Sequence, residues 1–206
     1  MFAAVAEPII AALPESDAAL ERTRLFGSAI SVGVADVVLM SEAVRTEPVD
    51  ERWLEYRLEG QFTLGGAAGS PVSLRGIADR IDLLPGRRLR VIDYKSGAVP
   101  AVARALQAPI YALCAQERLT ARDGQPWHIE EAGYVGLASR RPVIPVVSAD
   151  AGDAEKRAAL ADARARLLAV VDGIGRGSFP PRPYDTMICR SCAFATVCRK
   201  EYPGDG

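Results

Sequence analysis

Apolar and polar positions change their period along the 206-residue chain. Residues 1 to about 50 are rich in Ala, Leu and Glu. There Pro8–Leu13, Ala18–Leu25 and the apolar run Ile30–Met40 read as helices that pack on one another. From Trp53 the period drops to two: Leu54, Tyr56, Leu58, Phe62 and Leu64 alternate with charged or polar residues, as in a half-buried strand. Gly65-Gly66-Ala67-Ala68-Gly69-Ser70 reads as a turn or short loop. A second strand is expected over Val72–Leu84, a tight turn at Pro85-Gly86, and a third strand over Leu89–Lys95, which together make an antiparallel meander. Ser96-Gly97 and Pro100 stop that strand, and a helix is expected from about Ala101 to Ala121, ending before Asp123-Gly124. Strands follow at Glu131–Leu137 and Val143–Val147, then a long helix over Glu155–Ile174 whose Arg157, Arg164 and Arg166 form a solvated face. Phe179–Pro183 reads as an extended linker into a cysteine-rich tail, and no internal repeat is visible. The organisation expected is a helical segment over 1–50, an α/β core over 51–180 and the tail over 181–206.

The third strand carries the first chemistry. Side chains alternate faces along a strand, so Asp93 and Lys95 point the same way. A second acid, Asp79, lies fourteen residues upstream on the neighbouring strand, and neighbouring strands stand ~4.8 Å apart. If Asp79 lies across from the Asp93 end, the two carboxylates share a hard divalent cation whose remaining positions waters fill. Such an ion polarises a phosphoryl oxygen and lowers the pKa of a bound water. Lys95 then orients that water or steadies charge gathering on a phosphate. On the following helix Gln107 and Tyr111 are four apart and share a face beside Leu106, Ile110 and Leu113. They read either as contacts to a phosphate or base, or as a surface glutamine and a core tyrosine.

Composition narrows the setting. Hydrophobic content of 49% supports a packed core, and no apolar run reaches the ~20 residues of a membrane span. Met1–Leu13 is apolar but lacks a basic leader and is acidic at Glu7, so no signal peptide is expected and the expected location is the cytoplasm. A net charge of −1 advertises no global affinity for nucleic acid, although the sign of one groove matters more than the sum. Arginine outnumbers lysine 22 to 3, so a lysine at position 95 stands out. Its ammonium is a compact point charge, where a guanidinium is a wide fork. Three of four cysteines crowd into the last 18 residues, which favours a metal or cluster site over a disulfide framework.

Gly76-x-x-Asp79-Arg80-Ile81-Asp82, Asp93-Tyr94-Lys95-Ser96-Gly97 and Gln107-x-x-x-Tyr111 follow one another in an order and spacing that resembles the PD-(D/E)XK nuclease domain of the RecB and AddB type. The resemblance runs from roughly Glu51 to the C-terminus. It implies a restriction-endonuclease-like α/β core (α+β mixed): a mixed central sheet with a β-meander, flanked by helices. It implies Asp79 and Asp93 as catalytic, metal-binding acids for Mg²⁺ or Mn²⁺, with the backbone carbonyl of Tyr94 completing the shell. Lys95 is the implied catalytic lysine, and Gln107 and Tyr111 the implied DNA-binding pair. The tail, Cys189-x2-Cys192-x5-Cys198 followed by Arg199-Lys200, is similar to the triplet that binds a [4Fe–4S] cluster in AddB-like nucleases. Such clusters take four thiolates. The family's fourth cysteine lies upstream of the core, whereas here none precedes Cys114, which reads as a core residue. The family's early-helix histidine is also missing, since the single histidine is His128. The expectation is therefore that this chain is the C-terminal part of a longer protein.

The function expected is a divalent-metal-dependent DNA nuclease, an exonuclease of double-strand break repair and recombination, with a helicase subunit or fused helicase domain as partner and no membrane. Two other readings stand beside it. One is a catalytically impaired scaffold that binds DNA or a partner, with an iron–sulfur or zinc tail. The other is a zinc-ribbon interaction module on an unrelated α/β fold.

Overall fold

The computed structural model describes residues 2–64, 71–138, 143–180, 183 and 185–198. The turn expected at Gly65–Ser70, Pro181 and Arg182 of the linker, and Arg199-Lys200 lie outside the described residues. The chain forms two compact units, residues 1–164 and 165–206.

The first unit is built on five strands: β1 (Glu51–Phe62), β2 (Val72–Leu84), β3 (Arg88–Lys95), β4 (His128–Gly136) and β5 (Val143–Val147). They lie in one sheet in sequence order. β1, β2 and β3 form the expected antiparallel meander. β4 then joins β3 in parallel and β5 returns antiparallel. A parallel step needs a crossover, and α4 (Gln107–Asp123) supplies it. Its inner stripe, Ala108, Ala112, Ala115 and Leu119, is 0 to 1% exposed, and the three alanines let the helix axis come close to the sheet. Pro145, which lacks an amide donor, sits in β5 at the sheet's outer edge, where proline is tolerated.

Three N-terminal helices precede the sheet: α1 (Phe2–Ala11), α2 (Glu15–Phe26) and α3 (Val34–Ala43). α1 and α2 close on a small core of Ala6, Ile10 and Ala18, with Leu25 and Phe26 against it. α3 reaches the sheet through charge. Glu42 accepts from Arg80 at 2.6 and 2.9 Å, and Arg45, just past the helix, donates to Glu131 at 2.8 Å.

The crossover helix was expected from about Ala101 and starts at Gln107. Pro109 explains the shift. A proline ring clashes with the carbonyl four residues before it, here Ala105, so it belongs in a first turn. Val102–Arg104 instead make a separate 3₁₀ turn, and Ala105 is extended. β4 begins at His128 rather than Glu131, because the parallel ladder to β3 starts at Arg88 level with His128. The long helix α5 covers Asp153–Gly175. The second unit holds a 3₁₀ helix over Thr186–Ser191, started by the Asp185 carboxylate accepting from the Met187 amide at 2.8 Å.

Candidate active site

The site begins where β2 and β3 part. Their ladder runs from Leu84 and Arg88 to Arg80 and Ile92 and stops there. One level on stand Asp79 and Asp93. Asp79 Oδ2 accepts from the Tyr94 amide at 2.7 Å, so a side-chain oxygen takes the place that a strand carbonyl would have filled. β1 bends at the same level. Leu54 and Tyr56 pair with Arg80 and Ala78, but Glu55 between them has φ 49° and no ladder partner. Residues three apart in a regular strand face opposite ways, yet Trp53 stacks on Tyr56 at 4.4 Å, which records the kink.

Asp93 and Lys95 share a face, as alternation requires. Asp93 is 2% exposed. Lys95 Nζ lies 2.7 Å from the buried Asp93 Oδ2 as an ion pair, and among the described residues that oxygen has no other polar partner. Lys95 donates to Gln107 Oε1 of α4 at 2.8 Å. Burial and the neighbouring Asp79 charge push the Asp93 carboxyl above its ordinary range, and the ammonium only partly offsets them. The pair of acids and the lysine therefore occupy one spot, as the spacing predicts, with Gln107 behind the lysine. Tyr111 lies elsewhere on α4. It is half-buried over Gly76 of β2, where a Cβ would meet its hydroxyl and stand 2.8 Å from Cε1 and Cζ of its ring. The glycine of the Gly76-x-x-Asp79 motif thus makes room for that tyrosine.

Two features had no assignment from sequence. Arg80 and Asp82, inside the same motif, face away from the site into a buried ion network. Asp82 is 0% exposed and accepts from Arg80 at 2.6 and 2.8 Å, Arg52 at 2.8 Å and Arg90 at 3.0 and 3.2 Å. Arg80 also donates to the Tyr94 hydroxyl at 3.1 Å, so Tyr94 sends its ring to the network and its amide to Asp79. Burial pushes Asp82 up, but the hydrogen bonds from the three guanidinium groups outweigh it and hold the carboxyl down at about 2. The second feature is Tyr134 of β4, 1% exposed and level with Asp93 in the parallel register. No sequence signal revealed it, because the pairing of β4 with β3 is a tertiary fact.

A cleft of about 750 Å³ adjoins the end of β3, bounded by Ser96, Leu137, Val34, Val37 and Met40. A cavity of about 810 Å³ lies at the other end of the same strands, by Arg88, His128 and Lys156, and holds none of the residues above.

The model of the PD-(D/E)XK nuclease superfamily matches residues 4–199. This chain belongs to that superfamily. No curated protein matches the chain. It is similar to a solved structure described as "Crystal structure of SSO0001", at 15% sequence identity and a TM-score of 0.34, over 81% of this chain and 69% of that one. The five-stranded mixed sheet with helices on it accords with the restriction-endonuclease-like core of PD-(D/E)XK proteins. Membership extends over the N-terminal helices as well, beyond the start at Glu51 that the motifs marked.

The tail of this PD-(D/E)XK chain presents three free thiols, Cys189 half-buried and Cys192 and Cys198 exposed. Among the described residues, no group of three or more His, Cys, Asp or Glu side chains is placed to hold a metal ion. Cys114 is 1% exposed inside α4, and burial first, then Glu117, pushes its thiol up to about 12. Also among the described residues, no helix is long and apolar enough to cross a membrane.

Proposed function

We propose that this chain is a divalent-metal-dependent DNA nuclease of the RecB and AddB type. In this reading it is an exonuclease of double-strand break repair and recombination, working in the cytoplasm beside a helicase subunit or fused helicase domain. The observation that carries the catalytic part is the fork between β2 and β3. It brings the carboxylate of Asp79, buried Asp93 and the Lys95 ammonium paired with it to one level.

A hard cation fits this donor set. Two carboxylates and the Tyr94 carbonyl are all oxygens, as Mg²⁺ or Mn²⁺ prefers. When bound, the ion polarises a phosphoryl oxygen and acidifies a water. The protein's own part is positional. The Tyr94 amide fixes Asp79, and Gln107 holds the Lys95 ammonium beside Asp93, where it can donate to an attacking water or to a phosphate oxygen as negative charge builds. Gln107 and Tyr111 serve the DNA contact through α4, the glutamine by holding the lysine that meets the phosphate.

The [4Fe–4S] part of the resemblance fits less well. The tail supplies three thiols where four are needed, and Cys114, buried and held protonated, does not fit as the fourth.

The test is incubation of anaerobically purified protein with end-labelled single- and double-stranded DNA, in Mg²⁺ or in EDTA, beside Asp93→Ala and Lys95→Ala. Cutting is expected only with the cation, and each variant is expected to lose at least roughly 100-fold in rate. Cutting in EDTA, or undiminished cutting by both variants, overturns the mechanism. Iron content and visible absorbance of the same sample decide the tail: a colourless, iron-free protein rejects the cluster.

A further inference from the structure

The restraint on Lys95 comes from more than Asp93 and Gln107. We propose that Tyr134 is a positioning residue for Lys95, its ring face forming the seat on which the ammonium rests. This rests on the reading above, in which Lys95 acts in phosphodiester cleavage.

Three observations meet at this tyrosine. The parallel ladder sets Tyr134 level with Asp93, while Gly136, level with Lys95, brings no side chain. The ring is therefore β4's contribution to the lysine's surroundings. The ammonium stands over that ring, 5.7 Å from its centroid, within the range where the negative face of an aromatic attracts a cation. The phenol oxygen meets the Ala108 amide at 3.4 Å, in the first turn of α4, next to the residue that accepts from Lys95. One side chain thus supports Lys95 from below and meets the helix turn that carries its hydrogen-bond acceptor.

The groups facing Lys95 are Asp93 from β3, Tyr134 from β4 and Gln107 from α4, with Asp79 from β2 acting on Asp93. Two of these, the ring and the amide oxygen, attract the ammonium without net charge. They hold it in place without competing with the carboxylates for a bound cation. An aliphatic residue of similar size would fill the volume and lack the attraction.

The chain's three lysines make a direct test feasible: Lys95, Lys156 and Lys200. Reductive ¹³C-methylation keeps the positive charge and gives one NMR signal for each of the three lysines beside that of the α-amino group, with Lys95 assigned by its loss in Lys95→Arg. In the unmutated protein the Lys95 signal is expected to be displaced by the ring current relative to the other two lysines. Tyr134→Phe is expected to keep that displacement, and Tyr134→Leu to abolish it. In steady-state cleavage Tyr134→Leu is expected to lower kcat roughly 10- to 100-fold with KM within about threefold, and Tyr134→Phe to recover kcat to within about threefold. A Lys95 signal at the position of a free lysine in the unmutated protein overturns the proposal, even if both variants fail to fold. So does a Tyr134→Leu protein with unchanged kcat, or one in which the Lys95 signal does not move. If the unmutated protein does not cut DNA, the nuclease reading fails while the NMR arm still decides where the ammonium sits.

Discussion

Asp93 shows how a single residue can be set against the stability of its own fold. It is 2% exposed, and burial with the Asp79 charge raises its affinity for a proton by more than the Lys95 ammonium lowers it. A carboxyl whose folded pKa lies above its unfolded value favours the fold only while protonated. That contribution is complete below the ordinary value of 3.8 and is lost as pH rises through the folded pKa. In metal-free buffer Asp93→Asn is therefore expected to raise Tm, by on the order of 1 kcal/mol of stability at neutral pH, while cutting is lost. The gap should close as pH falls below 3.8, where the carboxyl is protonated in both the folded and the unfolded chain, and thermal melts across pH check it. Added Mg²⁺ should reverse the order: a hundredfold excess over Kd stabilises the parent by about 2.7 kcal/mol and the variant much less. A fall in Tm for Asp93→Asn at neutral pH without metal would show that the Lys95 ion pair outweighs the burial.

At the scale of elements, the crossover helix sets the site as much as the strand that bears the acids. α4 places Gln107 against Lys95 and lays Tyr111 on Gly76. It also holds the far end of the meander. The Glu117 carboxylate accepts from the Thr63 and Leu64 amides at 2.9 to 3.0 Å, and Arg118 donates to the carbonyls of Arg57 and Glu59 at 2.8 and 2.5 Å. Gly76→Ala would drive Tyr111 off β2 and is expected to cost about 1–3 kcal/mol, with a loss of cutting as the helix tilts. Gly97→Ala, just past Lys95, is the control: no atom lies within 4 Å of a Cβ there, and the change should leave Tm within about 0.5 kcal/mol. Equal melting temperatures for the two variants would refute this account of Gly76. Much of this level was legible in advance. The bounds expected for β2, closed by the Pro85-Gly86 turn, and for the apolar run of β5 match those observed. The late start of α4 was also written in the chain, in Pro109, which the hydrophobic pattern alone passes over.

On the face of the sheet opposite Asp93 and Lys95, the first unit carries a buried charge network. Asp82 joins Arg80, Arg52 and Arg90, Arg80 continues to Glu42 of α3, and Arg90 approaches Glu131 at 3.8 Å. Removing one member leaves buried guanidinium groups uncompensated. Asp82→Ala is expected to cost about 3–5 kcal/mol, read as a drop in urea midpoint at unchanged slope. Because the folded Asp82 carboxyl sits at about 2 against an ordinary 3.8, its ionisation stabilises the fold fully above 3.8, and that contribution, on the order of 2 kcal/mol, is lost as pH falls toward 2. Acid unfolding of the parent in that window, absent as a separate step in Asp82→Asn, is the expected signature. If Asp82→Ala proved neutral, the network would be a surface ornament of the fold rather than the link between α3 and the sheet.

What the sequence determined by itself was local. Strand period, turn residues and the spacing of Asp79, Asp93, Lys95, Gln107 and Tyr111 were all visible in it, because alternation and helical repeat tie side-chain direction to chain position over short distances. What only the tertiary structure decided was which segments lie side by side. The parallel register of β4 put Tyr134 beneath Lys95, and the parting of β2 from β3 swung the Asp79 carboxylate onto the Tyr94 amide. The approach of α3 turned Arg80 and Asp82 from motif letters into a buried network. Those outcomes depend on contacts between residues from 15 to more than 35 positions apart in the chain, and no local period carries information about such pairs.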